Sequence, residues 1–405
     1  MRVVQINAGY NYSSIGRTVT EMHEFFSTHG IESYKFYAIK EKDSEPYDLI
    51  GNKLDHKIHG FLSRLFGKQA YFSYFPTKTL IKKLKKIGPD VVILRNFHSN
   101  YIHMPSILTF LAKNNIPTIA VLHDCWFYTG HCCHYTEIGC FKWLTECNHC
   151  ALIHTNNRSW FFDNSRQIFR DKKRLFGEIP NLSVVGVSDW ITNESKRAPI
   201  FANAKHFQRI YNWIDFKKFY YRDNTKTLKE RLGLSSDDFI ALGVAMIWDY
   251  RKGFELFIDI AEALPDIKIV MVGGLPARQY PANIITVPPT GSTDELAEYY
   301  SMADVFLNFS IQESFGKVAA DAMSCGTPVV VNNRTANPEI PGPCGEIVDT
   351  CNINSVVEAV KRIRANGKAY YSERCVQRAH ELFDKDKNIM QYLELFNRMV
   401  KNRDE

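Results

Sequence analysis

Two carboxylates flank a predicted turn between a strand and a helix, and this pattern is well suited to ligand chemistry. Glu313 comes shortly after the apolar run Val305–Leu307. Asp321 lies inside the helix predicted over Lys317–Ser324. The first amides of a helix lack intrahelical partners at its positive end, so they suit a phosphate, and Gly316 lets a ligand approach the backbone. Carboxylates accept hydrogen bonds from hydroxyls, so the pattern indicates a phosphorylated, hydroxyl-rich ligand. The alternative is that Glu313 caps the helix and Asp321 is a surface charge.

Two adjacent cations follow another predicted strand. The run Phe239–Val244 is apolar, and Arg251 and Lys252 come after it, just before a helix predicted over Phe254–Leu264. Such a pair can neutralise a diphosphate, with Lys as a point charge and Arg as a planar fork. Ligands of open α/β sheets bind beyond the carboxyl ends of the strands, where this loop is predicted to lie. An ordinary solvated loop is the alternative interpretation.

Predicted strands and helices alternate along the chain, which favours a doubly wound α/β architecture. The predicted strands are short apolar runs typical of buried parallel sheets: Val3–Ile6, Val91–Leu94, Thr118–Leu122, Ser183–Val187, Phe239–Val244, Ile267–Val272, Val305–Leu307 and Thr327–Val331. The predicted helices include Arg17–Thr28, Ser106–Asn114, Phe254–Leu264, Asp294–Met302, Lys317–Ser324 and Ser355–Ala365.

The alternation runs twice, which predicts two domains in the 405 residues. The first domain covers residues 1–210 and the second 211–385, with Tyr211–Asp215 as a linker between the two sets of strands. The remaining residues, 386–405, belong to an amphipathic stretch that begins at Asp384 and predicts one C-terminal helix.

Three segments resemble, in order and spacing, the donor-binding half of glycosyltransferase family 4. They are Arg251–Gly253, Glu313–Gly316 with Asp321, and Cys325–Val330. The resemblance implies a retaining mechanism without a catalytic metal. It also implies the GT-B fold, in which two Rossmann-like domains face a cleft and a C-terminal helix crosses back to the N-terminal domain. Two positions depart from the family pattern: Asp321 stands where the family has Glu, and Ile247 where it often has Arg.

The resemblance implies a role for each matching residue of the second domain. Glu313 would touch the donor sugar and is a catalytic candidate. Asp321 would hold the ribose with a shorter side chain than the family's Glu. Lys252 would bind the diphosphate, and Arg251 would supply the charge that Ile247 does not. Backbone amides at the start of the helix would meet the diphosphate or the sugar, at Ser314, Phe315 and Gly316.

The N-terminal half carries two further matches. Asn7–Gly9 leaves the first strand and Ser13–Arg17 leads into a helix, so the resemblance places Gly16 near the cleft, against the donor phosphate. The strand Thr118–Leu122 ends at His123, which the resemblance places near the donor sugar as a second catalytic candidate. Without the resemblance, a structural role would be the simpler interpretation of this histidine.

Six of the ten cysteines lie within residues 125–150, a cysteine-rich insertion in the first domain. Cys147 and Cys150 have the two-residue spacing of metal knuckles. The structural zinc site that this predicts has four thiolates, those of Cys133, Cys140, Cys147 and Cys150. Buried free thiols and disulfides are the alternatives. The run His123–Gly130, followed by cysteines, resembles capsule and exopolysaccharide members of the family, of the colanic-acid type.

The net charge of +6 is concentrated between Phe61 and Lys86, where basic and aromatic residues are mixed. Such a stretch can bind an anionic membrane surface or an acidic acceptor, or it can be the solvated face of ordinary helices. No nucleic-acid motif accompanies it, so nucleic acid is not a predicted partner. Met1–Asn7 is typical of a first strand rather than a signal peptide, which predicts a cytoplasmic protein. The basic and aromatic stretch adds the expectation of peripheral contact at the inner membrane face.

The leading hypothesis is a retaining glycosyltransferase, of hexosyltransferase type, in surface polysaccharide synthesis. Its partners would be a nucleotide diphosphate sugar and a saccharide or lipid-linked acceptor, and catalysis would require no cofactor. One alternative is a GT-B-type nucleotide-sugar epimerase. The other is a non-catalytic subunit that binds a sugar nucleotide or a polysaccharide, which the departures at Asp321 and Ile247 leave open.

Overall fold

The computed structural model of the chain describes residues 1–10, 13–39 and 45–404. The chain divides into two compact units. The N-terminal unit comprises Met1–Ile210 together with Asp386–Glu405, and the C-terminal unit comprises Tyr211–Lys385. Glu405, the last residue of the predicted C-terminal helix, lies outside the described residues. In the described part of the chain, no helix combines the length and the apolar character that crossing a bilayer requires.

The N-terminal unit is built on a parallel sheet. Its strands are β1 (Arg2–Ile6), β2 (Glu32–Phe36), β3 (Val91–Leu94), β4 (Thr118–Leu122), β5 (Leu182–Gly186) and β6 (His206–Arg209). Across the sheet their order is β2-β1-β3-β4-β5-β6, and neighbouring strands are parallel. The chain steps from β1 to β2 and then resumes on the other side of β1 with β3. The topological switch point, where α/β sheets bind ligands, therefore lies between β1 and β3.

Helices accompany this sheet along the chain. They are α1 (Ser13–Thr28), α2 (Lys53–Phe66), α3 (Tyr74–Ile87), α4 (Met104–Lys113), α5 (Ser165–Gly177) and α6 (Asp189–Arg197). Every residue of β3 and β4 is buried, as expected for central strands of a sheet covered on both faces.

The C-terminal unit repeats the plan. Its strands are β7 (Ile240–Ile247), β8 (Lys268–Gly274), β9 (Ile284–Val287), β10 (Val305–Asn308), β11 (Val329–Asn332) and β12 (Gly345–Val348). Its helices are α7 (Lys226–Arg231), α8 (Phe254–Ala263), α9 (Thr293–Met302), α10 (Lys317–Ser324), α11 (Ile353–Asn366) and α12 (Lys368–Phe383). The parallel sheet has the order β12-β11-β10-β7-β8-β9, so its switch point lies between β7 and β10.

The last helix, α13 (Lys385–Asp404), packs against the N-terminal unit, to which its residues from Asp386 onward belong. Its ring of Phe396 lies 5.6 Å from that of Phe26, and the Asn181 side chain donates to the Met399 carbonyl at 2.8 Å. The predicted amphipathic character is seen here, since one face of the helix is buried: Ile389, Tyr392, Leu395, Phe396 and Met399.

The predicted α/β alternation is confirmed. The bounds of β3, β4 and α10 are those expected from the sequence. Other boundaries differ: α1, for example, begins at Ser13 rather than Arg17, and β7 continues to Ile247 rather than ending at Val244.

Candidate functional site

Lys252 and Glu313, both expected to bind ligand, meet in the C-terminal unit. Lys252 follows β7 and Glu313 follows β10, and these strands are parallel neighbours, so both loops leave the same edge of the sheet. The Lys252 ammonium lies 2.6 Å from a carboxylate oxygen of Glu313. The two side chains are 39% and 19% exposed, so solvent and ligand can reach the pair.

Backbone and side-chain bonds fix the two loops to each other and to the next strand. The amide of Ile311 donates to the carbonyl of Arg251 at 2.8 Å. The amide of Glu313 donates to the hydroxyl of Thr335 at 3.0 Å. The loop that carries the carboxylate is therefore held from both sides, and its position does not depend on the ion pair alone.

Buried asparagines support the loop from below. Asn332 and Asn337 both donate to the Ser310 carbonyl, at 2.8 and 3.2 Å. Asn337 also donates to Asn332 and accepts from Asn308. The sequence-based prediction did not include these residues. Asn308 and Asn332 are the last residues of β10 and β11, and a polar residue that closes an apolar strand was the available signal.

The start of α10 presents backbone amides beside this loop. Gly316 precedes the helix with φ of +89°, a left-handed conformation that glycine adopts without strain, and no side chain among the described residues caps the helix. The Ala319 amide already donates to the Gly316 carbonyl at 3.0 Å, so the amides before it are the donors that the helix start can offer a ligand. The ring of Phe315 is buried against Tyr211 and Phe383, which leaves its backbone as the part able to bind. Ser314, which stands between Glu313 and Phe315 in the chain, is half-buried.

Asp321 lies on α10 and is only 4% exposed, so the surface-charge alternative is wrong. The ammonium of Lys317, one helical turn earlier, lies 2.9 Å from its carboxylate. Burial of a carboxylate is costly unless it is paired, and Lys317 supplies that pairing.

Arg251 does not join Lys252 in a common cation pair with Glu313. Its guanidinium Nε donates to Asp249 at 2.9 Å, on the same loop. Burial would raise the pKa of Asp249, but hydrogen bonds and the charge of Arg251 lower it overall. The structure therefore brings Lys252 to Glu313 and holds Arg251 with Asp249.

In the N-terminal unit, His123 follows β4 and contacts an arginine that the sequence-based prediction did not include. Nη1 of Arg95 lies 2.8 Å from Nε2 of His123. Arg95 follows β3, is 1% exposed and is also hydrogen-bonded to Tyr392 of α13. Burial, together with the Arg95 charge, lowers the pKa of His123 to about 3. The imidazole is therefore neutral, its Nε2 accepts from Arg95, and its Nδ1–H remains a donor.

A second histidine lies one strand away. Nε2 of His98 is 2.8 Å from a carboxylate oxygen of Asp124. Burial alone would lower the pKa of His98, but Cys133 and Asp124 together hold it well above its usual value. Ligand atoms of His98, Asp124 and Cys133 lie within 4.8 Å of one another.

The remaining predicted positions of this unit are Gly16 and the cysteines. Gly16 is buried in the first turn of α1, where its carbonyl accepts from the Thr20 hydroxyl at 3.2 Å. All ten cysteines are free thiols, so the disulfide alternative has no support in the structure. Three of the four predicted zinc ligands line one small cavity, and Cys132, not Cys133, is the fourth cysteine there: Cys132, Cys140, Cys147 and Cys150.

Comparison with known protein families matches residues 238–366 to the family described as glycosyl transferases group 1. This range lies within the C-terminal unit and contains Lys252, Glu313 and Asp321. The family model therefore covers the loops described for the C-terminal unit, and it does not reach those of the N-terminal unit.

Two relatives extend the comparison. The chain is 25% identical over 345 residues to the alpha-monoglucosyldiacylglycerol synthase of Acholeplasma laidlawii, which is 79% of this chain and 76% of that protein. It is 26% identical over 222 residues to the N-acetyl-alpha-D-glucosaminyl L-malate synthase of Bacillus anthracis, which is 52% of this chain and 58% of that protein. Neither name is that of a capsule enzyme, so the capsule-type resemblance stays a prediction.

A solved structure has the same fold over nearly the whole chain. The Anabaena HepE protein in complex with UDP superposes with a TM-score of 0.65 at 13% identity, covering 98% of this chain and 100% of that one. Each unit contributes a six-stranded parallel sheet with helices. The predicted GT-B fold is confirmed.

Proposed function

We propose that this chain, which is a glycosyltransferase, moves one sugar from a nucleotide diphosphate sugar to an acceptor hydroxyl. By family resemblance the configuration at the anomeric carbon is retained. The solved HepE structure holds UDP, which favours a nucleotide-linked donor here as well.

One observation carries this proposal: the Lys252–Glu313 pair stands at the switch point of the C-terminal sheet, next to the start of α10, which no side chain among the described residues caps. Negative charge develops on the leaving diphosphate during sugar transfer, and preorganised positive groups stabilise it. Lys252 and the α10 amides supply such groups, so catalysis needs no metal. When the diphosphate takes Lys252 as its partner, the Glu313 carboxylate becomes available to accept hydrogen bonds from the sugar.

Two further groups have roles in this scheme. Asp321 accepts from the ribose hydroxyls. His123 donates through Nδ1 to a substrate hydroxyl, since Arg95 occupies its Nε2. Because Nε2 of His123 already accepts from Arg95, this nitrogen is a poor base. The acceptor proton therefore goes to an oxygen of the leaving phosphate.

The acceptor that we propose is a saccharide linked to a membrane lipid. The end of α2 and the loop that precedes α5 expose an aromatic surface, defined as Phe61, Phe66, Trp160, Phe161 and Phe162. The rings of Phe61 and Trp160 lie 5.7 Å apart, and the Trp160 amide donates to the Arg64 carbonyl at 2.7 Å. Aromatic and basic side chains together favour the interface of an anionic bilayer, where a lipid-linked acceptor would lie. The named synthase relative, whose product contains diacylglycerol, points the same way.

The donor is tested by a thermal-shift screen of uridine, guanosine and adenosine diphosphates. A ligand that binds only the folded protein raises its melting temperature. One of the three is expected to stabilise the wild-type chain and to have a much smaller effect on Lys252→Ala. Absence of a shift with all three would contradict the donor assignment.

The alternatives are separated by turnover. Incubation of the donor without acceptor gives slow hydrolysis for a glycosyltransferase, but an epimerised nucleotide sugar for an epimerase. A non-catalytic subunit gives neither product. Hydrolysis that is lost in both Lys252→Ala and Glu313→Ala supports the proposed site, whereas unchanged hydrolysis in both variants rejects it.

A further inference from the structure

The cysteine segment, residues 123–164, connects β4 to α5 and has no helix or strand of its own beyond three short 3-10 turns. The turns are Trp126–Tyr128, Thr136–Ile138 and Lys142–Leu144. Stretches of this length without regular structure are uncommon in a compact domain. Buried rings provide part of its cohesion, with Tyr135 and Trp143 5.2 Å apart. A cross-link inside the segment would add cohesion that regular secondary structure does not supply here.

Four thiols of this segment line one small cavity of about 20 Å³, those of Cys132, Cys140, Cys147 and Cys150. A space of this size holds one guest no larger than a water molecule or a metal ion. The thiols of Cys132 and Cys150 are hydrogen-bonded to each other. The amide of Gly130 donates to the sulfur of Cys147 at 3.2 Å, a contact that favours the thiolate.

We propose that this space binds one Zn²⁺ in a structural site with four thiolate ligands: Cys132, Cys140, Cys147 and Cys150. Structural zinc sites are tetrahedral and closed, and four cysteines are one of their usual ligand sets. Binding releases the thiol protons and links parts of the segment that no helix or strand joins. The set differs by one residue from the set expected from the spacing, with Cys132 in place of Cys133.

Two lysines offset the charge of the site. Zn²⁺ with four thiolates carries a net charge of about −2. Lys172 is fully buried, donates to the carbonyls of Trp126 and Thr129, and has no carboxylate partner within ion-pair distance among the described residues. Lys142 lines the cavity and donates at 3.0 Å to the carbonyls of two residues between Cys147 and Cys150. A buried cation without a carboxylate is costly. The Trp126 ring, whose centre lies 3.3 Å from the Lys172 ammonium, offsets part of that cost, and an anionic metal site nearby would offset more.

A competing ligand set stands next to this one. Cys133, the neighbour of Cys132, lies with His98 and Asp124. That set offers three ligand atoms, and His98 and Asp124 already form an ion pair at 2.8 Å. A closed structural site needs four ligands, and the four cavity thiols supply that number. Among the described residues, only His98, Asp124 and Cys133 place three ligand atoms within 4.8 Å of one another, so zinc binding would have to draw the four sulfurs closer together than they lie in this structure. Adjacent cysteines therefore belong to two different clusters, and single substitutions distinguish them.

The first test uses the full-length chain purified without chelators from zinc-supplemented cells. Elemental analysis is expected to give about one zinc per chain, and zinc K-edge X-ray absorption four sulfur neighbours at about 2.3 Å. Zinc-free protein, or zinc bound mainly by nitrogen and oxygen at about 2.0–2.1 Å, would overturn the proposal. A Cys132–Cys150 disulfide in the unreduced protein, detected by peptide mass spectrometry, would overturn it too.

The second test compares two adjacent serine substitutions. Cys132→Ser is expected to lose the zinc, while Cys133→Ser, also a buried thiol, keeps it. Loss from Cys133→Ser with retention in Cys132→Ser would assign the metal to the other cluster. If Cys132→Ser does not fold, the absorption spectrum of the wild-type protein decides alone.

Discussion

The ammonium group of Lys252 lies 2.6 Å from the Glu313 carboxylate, although the two residues are 61 positions apart in the chain. Ion pairs that are partly exposed contribute only about 0–1 kcal/mol to folding. The neighbouring backbone bond between Ile311 and Arg251 already fixes the two loops. The pair is therefore better explained by ligand binding than by stability.

The first prediction follows from that difference. Lys252→Ala should lower kcat/KM by about 10²–10³-fold, since it removes a cation facing the developing phosphate charge. The free energy of unfolding should change by less than about 1 kcal/mol. Steady-state kinetics and urea unfolding of the same preparation measure both quantities. A large loss of stability with little loss of activity would reverse the assignment.

Arg251→Ala provides the matched control, because it removes the adjacent positive charge from the same loop. Its guanidinium is held by Asp249, so the loss of activity should be much smaller than for Lys252→Ala. Equal losses in the two variants would mean that the loop contributes a general positive potential rather than one placed ammonium group.

The positions of these two loops after their strands could be predicted from the sequence, but the side chains that they contact could not. Strand ends are visible as apolar runs that stop, so Lys252 and Glu313 could be placed after strands. Which loops meet depends on the strand order, and that order puts β7 beside β10 through contacts far apart in the chain. For the same reason Arg251 could be predicted as a cation but not as the partner of Asp249.

The second prediction concerns Asp321, which is buried beside Lys317. Asp321→Glu should keep or improve affinity for the nucleoside diphosphate, since it restores the carboxylate that the family pattern has. The added methylene in a packed site should lower stability by about 1–3 kcal/mol. Isothermal titration with the diphosphate and urea unfolding measure the two effects.

Asp321→Asn and Lys317→Met separate ligand binding from ion pairing. Both remove the ion pair, but only Asp321→Asn removes the carboxylate that is proposed to accept from the ribose. Affinity should therefore fall in Asp321→Asn and persist in Lys317→Met. Equal loss in both would mean that Asp321 acts only by holding Lys317.

Edge strands and the irregular segment were beyond the sequence-based prediction, for physical reasons. The strand β2, Glu32–Phe36, lies at a sheet edge with mostly half-exposed residues, so it lacks the apolar run that marks β3. The His98–Asp124 pair joins two loops of different strands. Cys132 and Cys133 are adjacent cysteines without regular structure, and spacing alone could not assign them to different clusters.

The third prediction is a pH dependence of stability. Arg95 and burial keep the pKa of His123 at about 3, below the ordinary value of 6.5. Between these pH values the unfolded chain binds a proton that the folded chain does not, so stability falls as pH falls through this window. The slope from this one group reaches at most about 1.4 kcal/mol per pH unit. His123→Gln cannot titrate, so urea unfolding at several pH values between 7 and 4 should show a shallower decline.

A matched substitution controls for the loss of one histidine. His29→Gln removes an exposed histidine of the same unit and is measured alongside His123→Gln. An unchanged slope in His123→Gln would contradict the neutral, Arg95-bound state of His123.

The fourth prediction concerns the aromatic surface and the membrane. The Phe161 side chain is 71% exposed, and inserting it into a bilayer interface transfers apolar area out of water. Phe161→Ser should therefore weaken binding to vesicles that contain anionic lipid, by about tenfold if about 1.4 kcal/mol of transfer energy is lost. Met246→Ser, at a 79% exposed residue of the C-terminal unit, is the matched control and should bind like the wild type.

Binding should also fall with added salt, because basic residues near the surface contribute through screened charge interactions. Vesicle co-sedimentation at two salt concentrations measures both effects, and equal weakening in the two variants would remove the aromatic surface as the membrane contact.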